Sequence, residues 1–183
     1  MRALLLWCNY FFQKMKLINK VKFYGMTIIY HDKSSNISFG NKIEIKSSFF
    51  SNFIGLNHRS IIVAREGGKI EIDNNVGISG ATIYSRKGIK IGKNTLVGGN
   101  CKILDNDFHP LDTLARINNV NEKIKSKEIV IGENCFLGAD SIILKGTILG
   151  NNCIVGAGSV VSGIFPENSI IIGNPGKVYK EKV

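Results

Sequence analysis

The 183-residue sequence is poor in the features that mark disordered, disulfide-linked and membrane-spanning chains. It has only 3 Pro, and 44% of its residues are hydrophobic, which excludes a low-complexity composition. Its 4 Cys form no CxxC pair, so we expect reduced thiols in a cytoplasmic protein rather than a disulfide framework or zinc cluster. The longest uncharged apolar run, residues 3–12, is well short of the ~20 residues that a spanning helix needs. No small-residue cleavage site follows it, so we do not expect export.

Acidic residues are also scarce, with 14 Asp and Glu against 24 Lys and Arg, a formal net charge of +10. This balance favours anionic partners such as nucleic acid, a phosphate-bearing cofactor or an acidic membrane surface. Aromatic residues make up only 9% of the chain and do not alternate with basic clusters beyond the N-terminus. We therefore do not expect nucleic acid as a partner.

Residues 1–25 form a basic segment, since the first acidic residue is Asp32. Three- and four-residue apolar spacings in this segment predict an amphipathic helix. One interpretation is a cap that covers the open end of the fold. The other is a basic, aromatic helix within residues 1–24 that rests peripherally on anionic lipid at the inner face of the membrane. The two interpretations are compatible.

A six-residue period dominates residues 36–173. An aliphatic residue opens each unit, Gly follows it in most units, and a small residue stands four places after it. Period six fits neither a helix nor a single strand, and it is typical of a solenoid of short strands joined by tight corners. We predict that the aliphatic and small residues point inward and that Gly or Asn supports the corners, where positive φ is cheap. The clearest units begin at Ile131, Leu137, Ile143, Leu149, Val155 and Val161.

Three such units make one triangular coil of 18 residues, so residues 18 apart should stack at strand spacing, ~4.8 Å. Cys135 would then lie against Cys153, as a small buried filler without special chemistry. Upstream, Ile91, Val97 and Ile103 continue the inward positions. Ile72, Ile78 and Tyr84 extend them further but are offset by one residue, which predicts a corner insertion near residues 87–88. The frame of the first coils is not recoverable from the pattern.

The period is lost between Ile103 and Ile131, where residues 110–127 form an irregular excursion. Long irregular excursions from a rigid scaffold are usually functional. If the preceding segment is extended, Asp105, Asp107 and His109 lie on one side of it. A carboxylate that orients the imidazole would make His109 a general base. The alternatives are a histidine that caps a corner and a metal site, but no second ligand cluster supports a metal.

Several motifs resemble the hexapeptide-repeat acyltransferases, in which the fold is a left-handed parallel β-helix. The most specific are GAGSVV at residues 156–161 and GNPGK at residues 173–177. VGISGATI at residues 76–83 and DNDFHP at residues 105–110 are similar to the maltose, galactoside and capsular-polysaccharide O-acetyltransferase branch. The resemblance covers about residues 54–180 and implies that the solenoid of residues 36–173 is an all-β hexapeptide-repeat fold. The helical segment predicted from the apolar spacing precedes it, and a basic C-terminal tail, residues 174–183, follows.

The resemblance also implies a homotrimer with acetyl-CoA as co-substrate, a glycan acceptor and active sites between subunits. His109 matches the catalytic base, with Asp107 or Asp105 fixing its imidazole. Ser162 and Gly163 stand where many relatives have Thr-Lys, which removes a cation near the cofactor. The implied cofactor-binding residues are Ala139 and Ala157 at the pantetheine arm, Ser162 and Gly163 at the adjacent turn, and Lys177 and Lys180 at the CoA phosphates. The implied acceptor-binding residues are Ser79 and Arg86.

Three functions follow from these observations. The leading hypothesis is an acetyl-CoA-dependent O-acetyltransferase that acts on a sugar hydroxyl of a surface polysaccharide or its lipid-linked precursor. The second is an N-acetyltransferase that acts on a nucleotide-linked amino sugar with the same donor and base. The third, a zinc hydratase on the same solenoid, needs three converging His, and only His109 lies in the regular coils. No metal is therefore expected.

Overall fold

The computed structural model describes Leu17 and residues 19–181 of the chain. Within this part, twenty strands form three sheets, and consecutive strands visit the sheets in turn. The chain therefore winds as a parallel β-helix of triangular cross-section. All strand pairs in the described part are parallel except β19 with β20.

Sheet A has eight strands and sheets B and C have six each. In spatial order, sheet A contains β1 (Val21–Tyr24), β4 (Ile43–Lys46), β7 (Gly77–Ser79), β10 (Leu96–Val97), β13 (Phe136–Leu137), β16 (Ile154–Val155), β19 (Ser169–Ile172) and β20 (Lys177–Glu181). Sheet B contains β17 (Val160–Val161), β14 (Ile142–Leu144), β11 (Lys102–Leu104), β8 (Thr82–Ser85), β5 (Ile61–Ala64) and β2 (Ile28–His31). Sheet C contains β18 (Ile164–Phe165), β15 (Ile148–Leu149), β12 (Ile129–Ile131), β9 (Ile89–Ile91), β6 (Lys69–Ile72) and β3 (Asn36–Phe39).

The helical elements of the described residues are short. Two 3-10 helices cover Phe49–Ser51 and Asn121–Lys123, and one α-helix, α1, covers Thr113–Ile117. Most of the helix predicted over residues 1–25 lies outside the described residues. The helix does not reach residue 25 as predicted, because Val21–Tyr24 forms strand β1, which pairs with β4.

The repeat fills the interior as the sequence predicted. The six aliphatic positions of the clearest units are 0–1% exposed, and so are the small residues four places after the first five of them. Leu137 lies opposite Val155, 18 residues later, which confirms the predicted coil length in this region. Burial of these branched side chains provides the main favourable free energy of the fold.

Of two predictions about the coils before Ile91, the structure confirms one and contradicts the other. The insertion near residues 87–88 is confirmed, because eight residues rather than six separate the inward-facing Ile83 and Ile91. The inward position predicted at Tyr84 is wrong, since Ile83 is fully buried and Tyr84 is only partly so. The shift arises because only five residues separate Ile78 from Ile83.

Gly and Asn have different roles at the corners, a distinction that the sequence did not predict. The repeated Gly is needed for close approach between coils rather than for positive φ. A Cβ at Gly138 would lie 2.5 Å from the backbone nitrogen of Ala157 in the next coil. Positive φ is supplied mainly by Asn, as at Asn94 (59°) and Asn134 (55°).

An asparagine ladder follows the line of corners between sheets C and A. Each side-chain amide donates to the next side-chain carbonyl at 2.9–3.2 Å, so the left-handed corners of successive coils are joined. In order along the fold, the ladder consists of Asn75, Asn94, Asn134, Asn152 and Asn168.

Candidate functional site

The segment that carries His109 leaves the coil at the B–C edge, the line of corners where the chain passes from sheet B to sheet C. Strand β11 ends at Leu104, and the backbone then turns. The predicted extended segment is therefore wrong, and with it the expectation that Asp105, Asp107 and His109 lie on one side. The three side chains instead have different environments.

Asp105 is fully buried and holds the neighbouring corner. Its carboxylate accepts hydrogen bonds from the backbone N–H groups of Arg86, Lys87 and Gly88, each at 2.8 Å. It also accepts from the Ser85 hydroxyl at 2.6 Å. This carboxylate is thus occupied by the corner insertion, and it is not available to orient His109.

Asp107 pairs with Lys145, which follows β14 in the next coil. The side chains are 17% and 32% exposed respectively, so the ion pair is largely shielded from water. Oδ1 takes the Lys145 ammonium, whereas the buried Oδ2 has no hydrogen-bond partner among the described residues. Sequence reasoning missed Lys145. The strand register contained the signal, because Leu104 pairs with Leu144 and so places Lys145 beside the start of the excursion.

His109 is the last residue of a three-residue turn that begins at Asp107. Its backbone N–H donates to the Asp107 carbonyl at 2.7 Å, and the central residue, Phe108, has φ of 60°. This is the γ-turn pattern, which is uncommon and strained for a residue other than Gly. The His109 side chain is exposed, and its ring makes no hydrogen bond within the described part of this single chain.

The B–C edge also carries Arg86, Ser162 and Gly163. Arg86 is paired with Glu66, so its guanidinium is already engaged. The adjoining cavity, of about 460 Å³, is lined by charges of both signs. Ser162 is exposed and Gly163 has φ of 127°, at the corner after β17.

Ser79, Ala139 and Ala157 lie on a different line of corners, the A–B edge. A groove of about 290 Å³ there includes Ser79, Ala139 and the small residues Gly98 and Gly99. Ala157 belongs to the next coil, where Gly158 donates its N–H to the Ala139 carbonyl at 2.9 Å. Ile54, Leu96 and Phe136 also line the groove, so its surface combines apolar side chains with these small and polar residues.

Asn52 is a groove residue that the sequence analysis missed. Its side-chain amide donates to the Ser79 hydroxyl at 3.1 Å, so the two polar groups form one site. Asn52 lies in the irregular loop after β4, where the six-residue pattern gives no signal. The same loop exposes an apolar cluster at Phe50, Phe53 and Ile54, which are 83%, 87% and 57% exposed.

Within the described part of the basic tail, Lys177–Glu181 forms strand β20. Lys177 and Lys180 are exposed on β20, which pairs antiparallel with β19. The turn before it is tied to sheet B, because Gly176 donates to the Val160 carbonyl at 2.7 Å. The start of β20 is therefore anchored to Val160, the first residue of β17.

Other groups within residues 17 and 19–181 offer less chemistry. Burial raises the pKa of the Cys101 thiol, which disfavours the nucleophilic thiolate. In this part of the chain, no three His, Cys, Asp or Glu side chains converge in a way that could hold a metal ion. No helix described for this chain has the length and apolarity to cross a membrane.

Comparisons with known proteins agree with this architecture. The family model described as "hexapeptide repeat of succinyl-transferase" matches residues 88–103 and 128–163. An uncharacterised 24.8 kDa protein from the cps region of Klebsiella pneumoniae is 32% identical over 187 aligned residues, covering 90% of this chain and 78% of that protein. In Escherichia coli K12, a protein with the provisional name lipopolysaccharide biosynthesis O-acetyl transferase WbbJ is 31% identical over 104 residues. That match covers 54% of this chain and 53% of the relative, so the chain spans about half of it.

Two solved structures are similar over most of the chain. The polysialic acid O-acetyltransferase OatWY has a TM-score of 0.60 and 25% identity, covering 88% of this chain and 74% of its own. A mutant of AntD, an N-acyltransferase from Bacillus cereus, in complex with dTDP-4-amino-4,6-dideoxyglucose and coenzyme A, has a TM-score of 0.64 and 18% identity. The match covers 93% of this chain and 88% of that one. The expected left-handed parallel β-helix is confirmed.

Proposed function

The chain belongs to the hexapeptide-repeat acyltransferase family, and from this premise we propose that it is an acetyl-CoA-dependent O-acetyltransferase. Its acceptor is a sugar hydroxyl of a surface polysaccharide or of the lipid-linked precursor. The observation that carries the proposal is the likeness to the polysialic acid O-acetyltransferase, which extends along nearly the whole chain. The relatives in the cps region and in lipopolysaccharide biosynthesis support the same acceptor class.

The proposed active site is shared between two copies of the chain in a homotrimer. Within one chain, His109 belongs to the B–C edge, whereas Ser79, Asn52 and Ala139 line the groove of the A–B edge. Placing the B–C edge of one protomer against the A–B edge of its partner brings a base, an acceptor site and a donor groove together. In a cyclic trimer each protomer makes this contact with the next one, so that three copies form a closed ring.

The proposed reaction is a direct transfer. His109 takes the proton of the acceptor hydroxyl while the hydroxyl oxygen attacks the thioester carbonyl carbon of acetyl-CoA. Backbone N–H groups lining the groove stabilise the resulting oxyanion. The carbon–sulfur bond then breaks, the sugar ester is released, and the coenzyme A thiolate receives the proton from the imidazolium. Lys177 and Lys180 offer charge to the coenzyme A phosphates.

The test is turnover of acetyl-CoA by purified protein with a panel of sugar acceptors. We expect His109→Ala to lower kcat by about 10²- to 10⁴-fold, because a general base is removed. His31→Ala is the matched control, since this exposed histidine lies on β2 and its ring nitrogen Nδ1 is hydrogen-bonded to the neighbouring Asp32 carbonyl. Unchanged kcat in His109→Ala would reject the proposed base.

The competing function is N-acetylation of a nucleotide-linked amino sugar, because AntD is an N-acyltransferase with the same fold. A sugar alcohol and the matching sugar amine, offered at equal concentration, distinguish the two. Predominant transfer to oxygen supports the O-acetyltransferase, and predominant transfer to nitrogen supports the alternative.

We also propose that the acceptor is met at the inner face of the membrane, with residues 1–24 as the basic contact. The support is the sequence alone: five cations and no acid in this segment. Deletion of residues 1–16 leaves β1 in place and should reduce sedimentation with anionic vesicles. Equal sedimentation of the full and shortened chains would contradict the proposal.

A further inference from the structure

The turn that presents His109 is strained and is held from three sides. Its central residue, Phe108, is bulky and yet has φ of 60°, a conformation that must be maintained by its surroundings. The Phe108 N–H donates to the Asn106 side chain at 2.9 Å. The Phe108 ring packs on Tyr84 with ring centroids 4.9 Å apart. The remaining contact is the ion pair of Asp107 with Lys145.

The ion pair differs from the other two contacts because it joins the turn to the next coil. Asp107 is the first residue of the turn, and its carbonyl accepts the hydrogen bond that closes it. Lys145 directly follows β14, whose backbone is fixed by parallel pairing with both β11 and β17. The ammonium therefore ties the start of the excursion to a rigid strand end.

We propose that Lys145 is a positioning residue for His109, acting through Asp107. This inference rests on the proposed function, in which His109 is the base. The buried Oδ2 of Asp107 has no partner in the described residues, so the carboxylate depends on Lys145 for its compensation. Without the ammonium, a shielded negative charge is left uncompensated and the carboxylate turns towards water. The strained turn then relaxes, and the imidazole leaves its place.

The test compares Lys145→Met, Lys145→Arg and the control Lys102→Met in the acetyl-CoA assay. Methionine keeps the apolar stem and removes the charge, whereas arginine restores it. Lys102 is exposed at the start of β11 on the same sheet, so its replacement changes net charge equally. We expect Lys145→Met to lower kcat by about 10- to 100-fold, because small displacements of a catalytic group are costly. KM for acetyl-CoA should stay within about twofold, because the donor groove is untouched.

Lys145→Arg should recover most of kcat, and Lys102→Met should match the wild type. Rescue by arginine together with unchanged KM separates positioning from general destabilisation, which would reduce the active fraction without regard to charge. If Lys145→Met does not fold, Asp107→Asn removes the same ion pair and should show the same loss of kcat. When all variants fold, the double variant Lys145→Met/Asp107→Asn should have a kcat no lower than that of the less active single variant, since both substitutions remove the same interaction.

The results also separate this inference from the proposed function. Near wild-type kcat in Lys145→Met and Asp107→Asn, together with a large loss in His109→Ala, would overturn the role of Lys145 alone. Full activity in His109→Ala would overturn the proposed base, whatever the Lys145 variants show.

Discussion

The side-chain amide of Asn94 donates to the side-chain carbonyl of Asn134 at 2.9 Å, although 40 residues separate them. The other adjacent members of the ladder are only 16 to 19 residues apart. The excursion before β12 is inserted between Asn94 and Asn134, and the ladder continues across it without interruption. The prism is thus a continuous scaffold, and the functional segment is an addition to one of its corners.

The ladder predicts a difference between two substitutions at Asn134. Asn134→Ala should lower the free energy of unfolding by about 1–2 kcal/mol, because alanine is strained at φ of 55° and the ladder is broken. Asn134→Gly breaks the same hydrogen bonds without this strain and should cost less. Urea unfolding monitored by circular dichroism measures both. Equal losses would show that the left-handed backbone carries no cost at this corner.

Asp105 predicts a large loss of stability on a nearly isosteric change. Asp105→Asn places an NH₂ group or a neutral oxygen opposite three backbone N–H donors in a buried corner. We expect a loss of about 3 kcal/mol or more, since hydrogen bonds to a buried charge are replaced. Ser85→Ala removes one donor to the same carboxylate and should cost only about 1 kcal/mol. A stable Asp105→Asn protein with lost activity would instead restore a catalytic role to this residue.

The close contact between coils at Gly138 predicts that a larger residue at this position lowers the stability of the fold. A Cβ there would lie 2.5 Å from the Ala157 backbone nitrogen, so Gly138→Ala must push two coils apart. Overpacking of this kind costs about 1–3 kcal/mol, measured as the shift in urea midpoint at constant slope. The control is Gly88→Ala, whose nearest atoms, at 3.2 Å, belong to the flexible Glu128 side chain. If both variants lose the same stability, contact between coils does not explain the repeated Gly.

The buried cysteines predict slow thiol chemistry. Burial raises the pKa of the Cys101 thiol, so at neutral pH its thiolate fraction falls below that of an exposed cysteine. Cys101, Cys135 and Cys153 are all buried. Iodoacetamide at pH 8 should therefore modify these three only under unfolding conditions, as followed by mass spectrometry of peptides. Rapid labelling of Cys101 in the folded protein would contradict the packing of this corner.

The site was predicted from the sequence only in part. His109 was proposed because it stands where the regular pattern is lost, and Ser79 and Ala139 were proposed through resemblance. The expectation that Asp105, Asp107 and His109 lie on one side was wrong, because it assumed an extended backbone where the chain turns after Leu104. Asn52 and Lys145 were missed because their relevance depends on contacts with Ser79 and Asp107 that lie 27 and 38 residues away.

The coil could be read directly from the amino-acid order. The period of six residues encodes which side chains point inward and where the corners fall, because each unit repeats the same local environment. The charged residues that meet at the corners could not be predicted in this way. The excursion adds residues between two coils, and the six-residue repeat does not indicate which residues then stack on each other. For the same reason, only the folded chain revealed that Asp105 is buried against three backbone N–H groups, while Asp107 is joined to Lys145 at the turn that ends in the exposed His109.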